Sequence, residues 1–241
     1  VGGSGEYRIC APFRALNQAG KAKCDVVETA KYAEMRILSL PELARADPDS
    51  LVVHAAISDA QLAMLETYQR FHRSRRIFAM DDLITNVPEH SPFYKHAFRD
   101  AKARLRKALS HCDRAIVTTQ PLVDLCQGLN EDIRLIPNYL EKARWGGLHT
   151  GRQQSKKPRV GWAGAQQHHG DLALVVDLVK ATADEVDWVF FGMCLQELKP
   201  YIKEEHPFIL DFDACGARDV CINRRGRWCR LPVCGKMNRA R

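Results

Sequence analysis

The sequence predicts an α/β fold in which the strands of a parallel sheet alternate with helices, arranged as two βαβ-type domains. Two observations lead there. Between Tyr7 and Phe212, apolar runs of strand length alternate with stretches of helical periodicity. A polar, Gly-containing segment over residues 146–157 interrupts that alternation once, and the pattern restarts after it. No internal repeat of fixed short period competes with this arrangement.

The first half, residues 1–145, opens on a glycine turn followed by a helix over 9–19 and a strand over 24–27. Leu51-Val52-Val53-His54-Ala55 reads as a short buried strand, and a helix follows around Asp59 to Phe71. Arg76-Ile77-Phe78-Ala79-Met80 is the next strand and ends at Asp81-Asp82. Ser91 then caps a helix with Pro92 at its first position, where a missing N–H costs nothing. Its apolar face is Phe93, Ala97, Phe98, Ala101, Leu105, Ala108, Leu109 and Cys112, and its basic residues belong to a solvated face. Ala115 to Thr119 is a strand, Thr119 and Pro121 open another helix, and Asp132 to Pro137 is a further strand. In the second half, residues 158–212, strands are expected at 158–163, 188–191 and 208–212. Helices are expected at 171–186 and 195–205.

Charge and cysteine divide the chain differently. The formal net charge is +7, yet residues 211–241 hold eight Lys or Arg against three Asp, which leaves 28 basic and 26 acidic residues before position 211. A surface for nucleic acid should extend over a folded domain, so the near-neutral body argues against that class of partner. Five cysteines are scattered over the body as reduced thiols would be, whereas Cys215, Cys221, Cys229 and Cys234 crowd the tail, 213–241. Structural zinc usually employs a C-x2-4-C knuckle, and only the last pair fits that spacing. The abrupt change of composition reads instead as a terminus of foreign origin, such as a shifted reading frame, and no metal site is expected. No apolar run reaches the roughly 18–20 residues that span a bilayer, and the first residues do not form a signal peptide. The expected location is the cytoplasm, with peripheral contact at the inner membrane face left open.

Three segments carry candidate chemistry. Val160-Gly161-Trp162-Ala163-Gly164 runs from a strand into a turn ahead of a helix near Asp171, with His168 and His169 on the intervening loop. Ligands of open α/β sheets bind at the carboxyl ends of strands, where glycines admit a phosphate and a helix N-terminus attracts it. A structural turn would look the same. Gly2-Gly3-Ser4-Gly5-Glu6-Tyr7-Arg8 forms a second glycine-rich turn before a helix. Asp81 and Asp82 stand at the sheet's carboxyl edge, suited to binding hydroxyls, to base catalysis or to an ordinary cap. His54, at a strand end, is a candidate general base or a structural histidine.

Gly5-Glu6-Tyr7-Arg8 with Pro12 and Leu16, then Met80-Asp81-Asp82-Leu83 with Val87-Pro88, resembles the acceptor-side half of bacterial GT-B glycosyltransferases of the group 1 type. Residues 112–119, Ile136-Pro137-Asn138 and the region of Trp145 continue the resemblance. Residues 160–164 with His168, His169 and Asp171, then 188–192, resemble the opening of the donor-binding half. The likeness covers roughly residues 5–212 and rests on the order and spacing of the motifs. It implies two Rossmann-like domains in the GT-B arrangement, the second incomplete, with the substrate cleft between them. A nucleotide-sugar donor would lie near Gly161 and Gly164, and a glycan, lipid-linked or protein acceptor near Gly5, Tyr7, Arg8, Asp81 and Asp82. It implies hexosyl transfer of the kind used in polysaccharide biosynthesis, with no cofactor and no metal, because helix dipoles and basic side chains would neutralise the leaving diphosphate.

Members of that group continue past this point with further βα units, and nothing after Phe212 matches them. The chain therefore reads as incomplete at both ends, and little or no transferase activity is expected of it. A non-catalytic scaffold or binding module that keeps the fold is the alternative, with a zinc-dependent nucleic-acid binder as a third class.

Overall fold

The structure is a computed structural model that describes residues 3–27, 37–87, 89, 94, 100–146, 157–207, 221–222 and 228–229. It divides into two compact units, one of Val1–Val87 with Ala97–Glu141 and one of Pro88–His96 with Lys142–Arg241.

The first unit is built on four parallel strands in the order β1-β2-β3-β4: Ser50–His54, Arg75–Met80, Arg114–Val117 and Ile133–Leu135. β1 and β2 run in register from Ser50 opposite Arg75 to His54 opposite Ala79. Phe78, Ala79 and Met80 of β2 are all buried, as suits a central parallel strand covered on both faces. The core gathers Phe78, Met80 and Val117 from the sheet with Leu62 and Leu65 of the helix Asp59–Phe71 and Leu105 and Leu109 of the helix Ala101–Ser110.

The helices start where their side chains satisfy the first amides. Ser58 accepts from the Gln61 amide at 3.3 Å while the Gln61 side chain accepts from the Ser58 amide at 3.0 Å, a reciprocal cap that fixes the start of Asp59–Phe71. Ser39 and Glu42 form the same device before Leu40–Ala46, with Pro41 in the first turn. That helix was not anticipated, although Ser39-x-x-Glu42 is its signature. The helix expected from Ser91 is seen from Ala101, and Ser91, Pro92 and Phe93 lie outside the described residues.

The glycine-rich start is helical and not a turn. Gly3–Gly5 and Ala11–Gln18 are α-helical, and Glu6–Cys10 between them is π-helical, with the Ala11 amide bonded to the Glu6 carbonyl five residues back. Pro12 explains the widening: in a regular helix its ring would strike the carbonyl of Arg8. The strand expected at 24–27 joins no sheet. The Asn17 side chain donates to the Cys24 carbonyl at 2.8 Å and accepts from its amide at 2.7 Å, holding this extended stretch to the helix end.

The second unit contains a parallel sheet, β5-β6-β7, formed by Arg159–Gly164, Asp187–Gly192 and Glu204–His206. Trp188 and Phe190 of β6 pack with Leu172, Val176, Val179 and Leu198. The single helix expected over 171–186 is two short ones, His169–Ala173 and Val176–Thr182. Asp184 and Glu185 follow the second helix, where the negative end of its dipole disfavours more acid, and the Trp188 indole binds the Thr182 hydroxyl at 3.1 Å. The helix expected over 195–205 is a 3-10 helix, Gln196–Tyr201, containing Pro200, and β7 begins only three residues later. The strand expected at 208–212 and most of the 146–157 segment lie outside the described residues. In the tail, Cys221–Ile222 and Trp228–Cys229 pair antiparallel, with Cys221 opposite Cys229.

Phe78 is fully buried at the centre of the first core. Phe78→Ala should cost roughly 3–5 kcal/mol in a urea titration, whereas Leu174→Ser, at a position 85% exposed, should change stability by less than about 0.5 kcal/mol.

Candidate functional site

Parallel strands deliver their carboxyl ends to one edge of a sheet, and in the first unit that edge collects the candidate residues. β1 ends on His54 and β2 ends one residue before Asp81. His54 Nε2 lies 3.0 Å from Asp81 Oδ1, with the imidazole 23% and the carboxylate 11% exposed. Ala55, immediately after His54, has φ 47° and keeps its amide bonded to the Ala79 carbonyl at 2.9 Å. This left-handed residue turns the chain sharply away at the strand end while His54 stays in register.

The helix of residues 3–18 closes the same edge. Ser4 hydrogen-bonds to Asp81. Arg8, one π-helical turn later, is buried and donates from Nη1 to the Ile136 carbonyl at 2.8 Å and to Asn138 Oδ1 at 3.2 Å. Burial lowers the Arg8 guanidinium below its ordinary value, against the opposing charge of Asp81. Farther along, Arg14 donates to Glu6 and also to Glu141 at 3.0 Å, and its hydrogen bonds to these two carboxylates raise its pKa. The helix is thereby tied to the segments that follow β2 and β4.

Burial pushes the Asp81 carboxyl up, but hydrogen bonds from His54 and Ser4 and the charges of His54 and Arg8 outweigh it, so the group is held below its ordinary value. Asp81 is therefore an anion at neutral pH and accepts from Nε2–H of His54. In a neutral imidazole that donor leaves the lone pair on Nδ1, turned away from Asp81. The paired expectation for Asp81 and Asp82 thus resolves into two situations: Asp81 orients His54, and Asp82 stands exposed beside it. Gly5 ends the first helical turn, and Tyr7, half-buried, sits in the π-helical segment. Ser4 is not singled out by the sequence, where it sits within the glycine-rich turn.

In the second unit the candidates separate. Gly161 lies inside β5 opposite Val189, three residues short of the strand's end. Gly164 is the last residue of β5 and pairs with Gly192, the last of β6, whose φ is +89°. These two glycines face each other at the carboxyl edge of this sheet. A Cβ on Gly164 would stand 3.2 Å from the Trp162 indole and 3.3 Å from the His168 Cβ, so a glycine is needed for the packing itself. His168 ends a 3-10 turn and holds Asp171 through Nδ1 at 2.8 Å, and His169 begins the short helix that follows. His168 and Asp171 are both largely exposed, 48% and 63%.

Among the described residues, no group of three or more His, Cys, Asp and Glu is arranged to hold a metal ion, and no helix is long and apolar enough to cross a membrane. Cys215 and Cys234 lie outside the described residues.

No family model matches the chain, and no curated protein matches it in sequence. The solved structures that resemble it in fold include two of TarM. One is a crystal structure of TarM, 15% identical with a TM-score of 0.47, covering 72% of this chain and 36% of that one. The other is a substitution variant of TarM from S. aureus in complex with Fondaparinux, alpha-GlcNAc-glycerol and UDP, 14% identical with a TM-score of 0.41, covering 72% and 32%. The chain spans about a third of the length of these structures. Likeness at this level carries no argument about activity, which must come from the residues themselves.

Asp81 has a depressed pKa in the folded state, so it contributes stability that is present above the unfolded carboxylate value, about 3.9, and lost as pH falls through the folded value. Asp81→Asn should be less stable than the wild type at pH 7, with the gap closing as urea titrations move below about pH 4. A gap that persists undiminished at the acid end would contradict this assignment.

Proposed function

We propose that the chain belongs to a glycosyltransferase that uses a nucleotide-sugar donor, with the second unit receiving the donor and the first unit activating the acceptor. The observation that carries this reading is the His54–Asp81 pair at the carboxyl ends of two adjacent parallel strands. A carboxylate that accepts from Nε2–H leaves Nδ1 to act as general base on an acceptor hydroxyl. The hydroxyl proton passes to Nδ1, its oxygen forms a bond to the anomeric carbon, and the bond from that carbon to the diphosphate breaks, the electron pair leaving with the phosphate oxygen. Ser4 and Arg8 flank Asp81 and keep it charged throughout.

For the donor, the reading relies on Gly164 and Gly192, whose paired strand ends let a diphosphate approach backbone amides, with His168, His169 and Asp171 on the turn that follows β5. Gly161 contributes to the strand behind this edge. In this reading, amides and side chains neutralise the leaving diphosphate without a resident metal, and the hexosyl type of transfer follows from the group the sequence resembles. Gly5, Tyr7 and Arg8 belong to the acceptor side.

The test is a thermal-shift titration against UDP, GDP, ADP, CMP and their sugar conjugates, with and without EDTA. A nucleotide at 100 times its dissociation constant should add about 2.7 kcal/mol, or roughly 5–10 °C in a chain of this size. One base should be selected, and EDTA should leave the shift in place. His54→Ala should leave that shift in place, because in this reading the imidazole belongs to the unit that does not receive the donor. A protein whose melting responds to none of these nucleotides is not a donor-binding transferase.

A further inference from the structure

Arginine is concentrated toward the amino edge of the first sheet, on the face turned away from the helices that build the core. Arg75 opens β2, Arg114 opens β3 and Arg134 is the middle residue of β4. Arg114 stands opposite Ile77 and Arg134 opposite Ile116, so the register sets all three guanidiniums on one side of the sheet. Phe78, Met80 and Val117 point to the other side, where they pack with the helices Asp59–Phe71 and Ala101–Ser110. Parallel strands are usually apolar on both faces. Here three neighbouring strands each place an arginine on the same face.

One carboxylate holds the three together. Asp132 accepts from Arg75 Nη2 at 3.2 Å, from Arg114 Nε and Nη2 at 2.8 and 2.7 Å, and from Arg134 Nε. Those four donors fill the acceptor capacity of a carboxylate, while each guanidinium has further N–H groups to give. Three cations against one anion leave two positive charges. The neighbouring acids are engaged elsewhere. Asp113 gives one oxygen to the Arg76 amide and the other to its guanidinium, and Asp47 binds Arg73, on which Asp49 also acts. The Arg75 and Arg134 side chains are 48% and 60% exposed against 22% for Asp132, so the cations stand in front of the carboxylate that gathers them.

We infer that this face binds a phosphate dianion, free or as the terminal group of a monoester, against Arg75, Arg114 and Arg134. A monoester phosphate carries close to two negative charges at neutral pH, which matches the charge left over. Its oxygens suit the planar donor pairs of guanidinium groups. A carboxylate or a phosphodiester brings a single charge and leaves the cluster uncompensated. The site is independent of the proposed transfer chemistry, because Arg75 and Asp81 lie at opposite ends of β2, roughly 20 Å apart. A phosphate bound there bridges β2, β3 and β4 and stabilises the first unit by linkage.

The experiment is amide-resolved NMR of the whole chain at constant ionic strength, titrated with inorganic phosphate, methyl phosphate, dimethyl phosphate and acetate. The amides of Arg75, Arg114, Asp132 and Arg134 should shift saturably with the first two. The singly charged dimethyl phosphate and acetate should bind at least about tenfold more weakly. Arg134→Gln should weaken phosphate binding by about tenfold or more, the loss expected when one charged hydrogen-bond donor is removed. Glu131→Gln, which removes a negative charge beside Asp132 in sequence, should tighten it. Arg70→Gln, at an exposed position on the helix Asp59–Phe71, should leave it unchanged. The titration of the unaltered protein stands even where a variant fails to fold. Tighter binding of methyl phosphate than of inorganic phosphate assigns the site to a phosphorylated ligand, and the reverse assigns it to the free anion. Shifts that rise without saturation at arginines over the whole surface, or an equal response to acetate, would overturn the inference and leave an ion-pair network alone.

Discussion

The site in the first unit depends on one registration, that of β1 against β2. With His54 opposite Ala79, the imidazole stands two residues from Asp81 along the neighbouring strand, and the 3.0 Å contact follows from the pleat. A slip of one residue would turn His54 to the opposite face of the sheet and strand Asp81 without its donor. At the amino end that register is held by the Arg75 amide, which donates to the Asp49 carbonyl at 2.9 Å, and by the Ser74 hydroxyl, which donates to the Pro48 carbonyl at 2.7 Å. Arg76, buried at the amino end of β2, donates to Asp113 at 2.9 Å and to the carbonyls of His111 and Ser74 at 2.8 and 3.0 Å. Asp132 accepts from Arg75, Arg114 and Arg134, one arginine from each of β2, β3 and β4. Charge fixes the amino edge of the sheet, so the carboxyl edge is free to carry chemistry.

The two units solve the same problem differently. In the first, a carboxylate is kept ionised by imidazole and hydroxyl donors and by a nearby guanidinium. In the second, the carboxyl edge brings Gly164 against Gly192, with His168 and His169 exposed on the turn beyond. In the proposed transferase the first would move a proton and the second would admit the charged donor. Cys112 belongs to neither: burial pushes its thiol up to about 12, and it serves as a small apolar residue in the core.

Strands and capped helices were legible in the sequence wherever local pattern and tertiary burial agree. The helix Asp59–Phe71 and the strand ending at Met80 follow from apolar spacing and from a carboxylate pair that no buried strand would contain. His54, Asp81 and Arg8 could be named as candidates from their places at element ends, but their mutual contacts could not, because those depend on register across 27 residues and more. The misreadings share a cause. Cys24-Asp25-Val26-Val27 has the composition of a strand, yet the Cys24 amide and carbonyl are satisfied by Asn17. The 195–205 stretch has helical spacing, yet Pro200 withholds an amide, and the chain has already entered β7 by Glu204. Composition reports what a segment would accept, and the competing partner decides what it receives.

The π-helical stretch Glu6–Cys10 acts as a rotary coupling within the first helix. A regular helix advances about 100° per residue, so one surplus residue accommodated there turns the opening coils by about that angle relative to those that follow. Ser4 and Arg8 can then address Asp81 and the segment after β4 while Arg14 faces Glu141. The angular setting of the amino-terminal coils is thus adjustable independently of the rest of the cylinder, by gain or loss of a single residue ahead of Pro12.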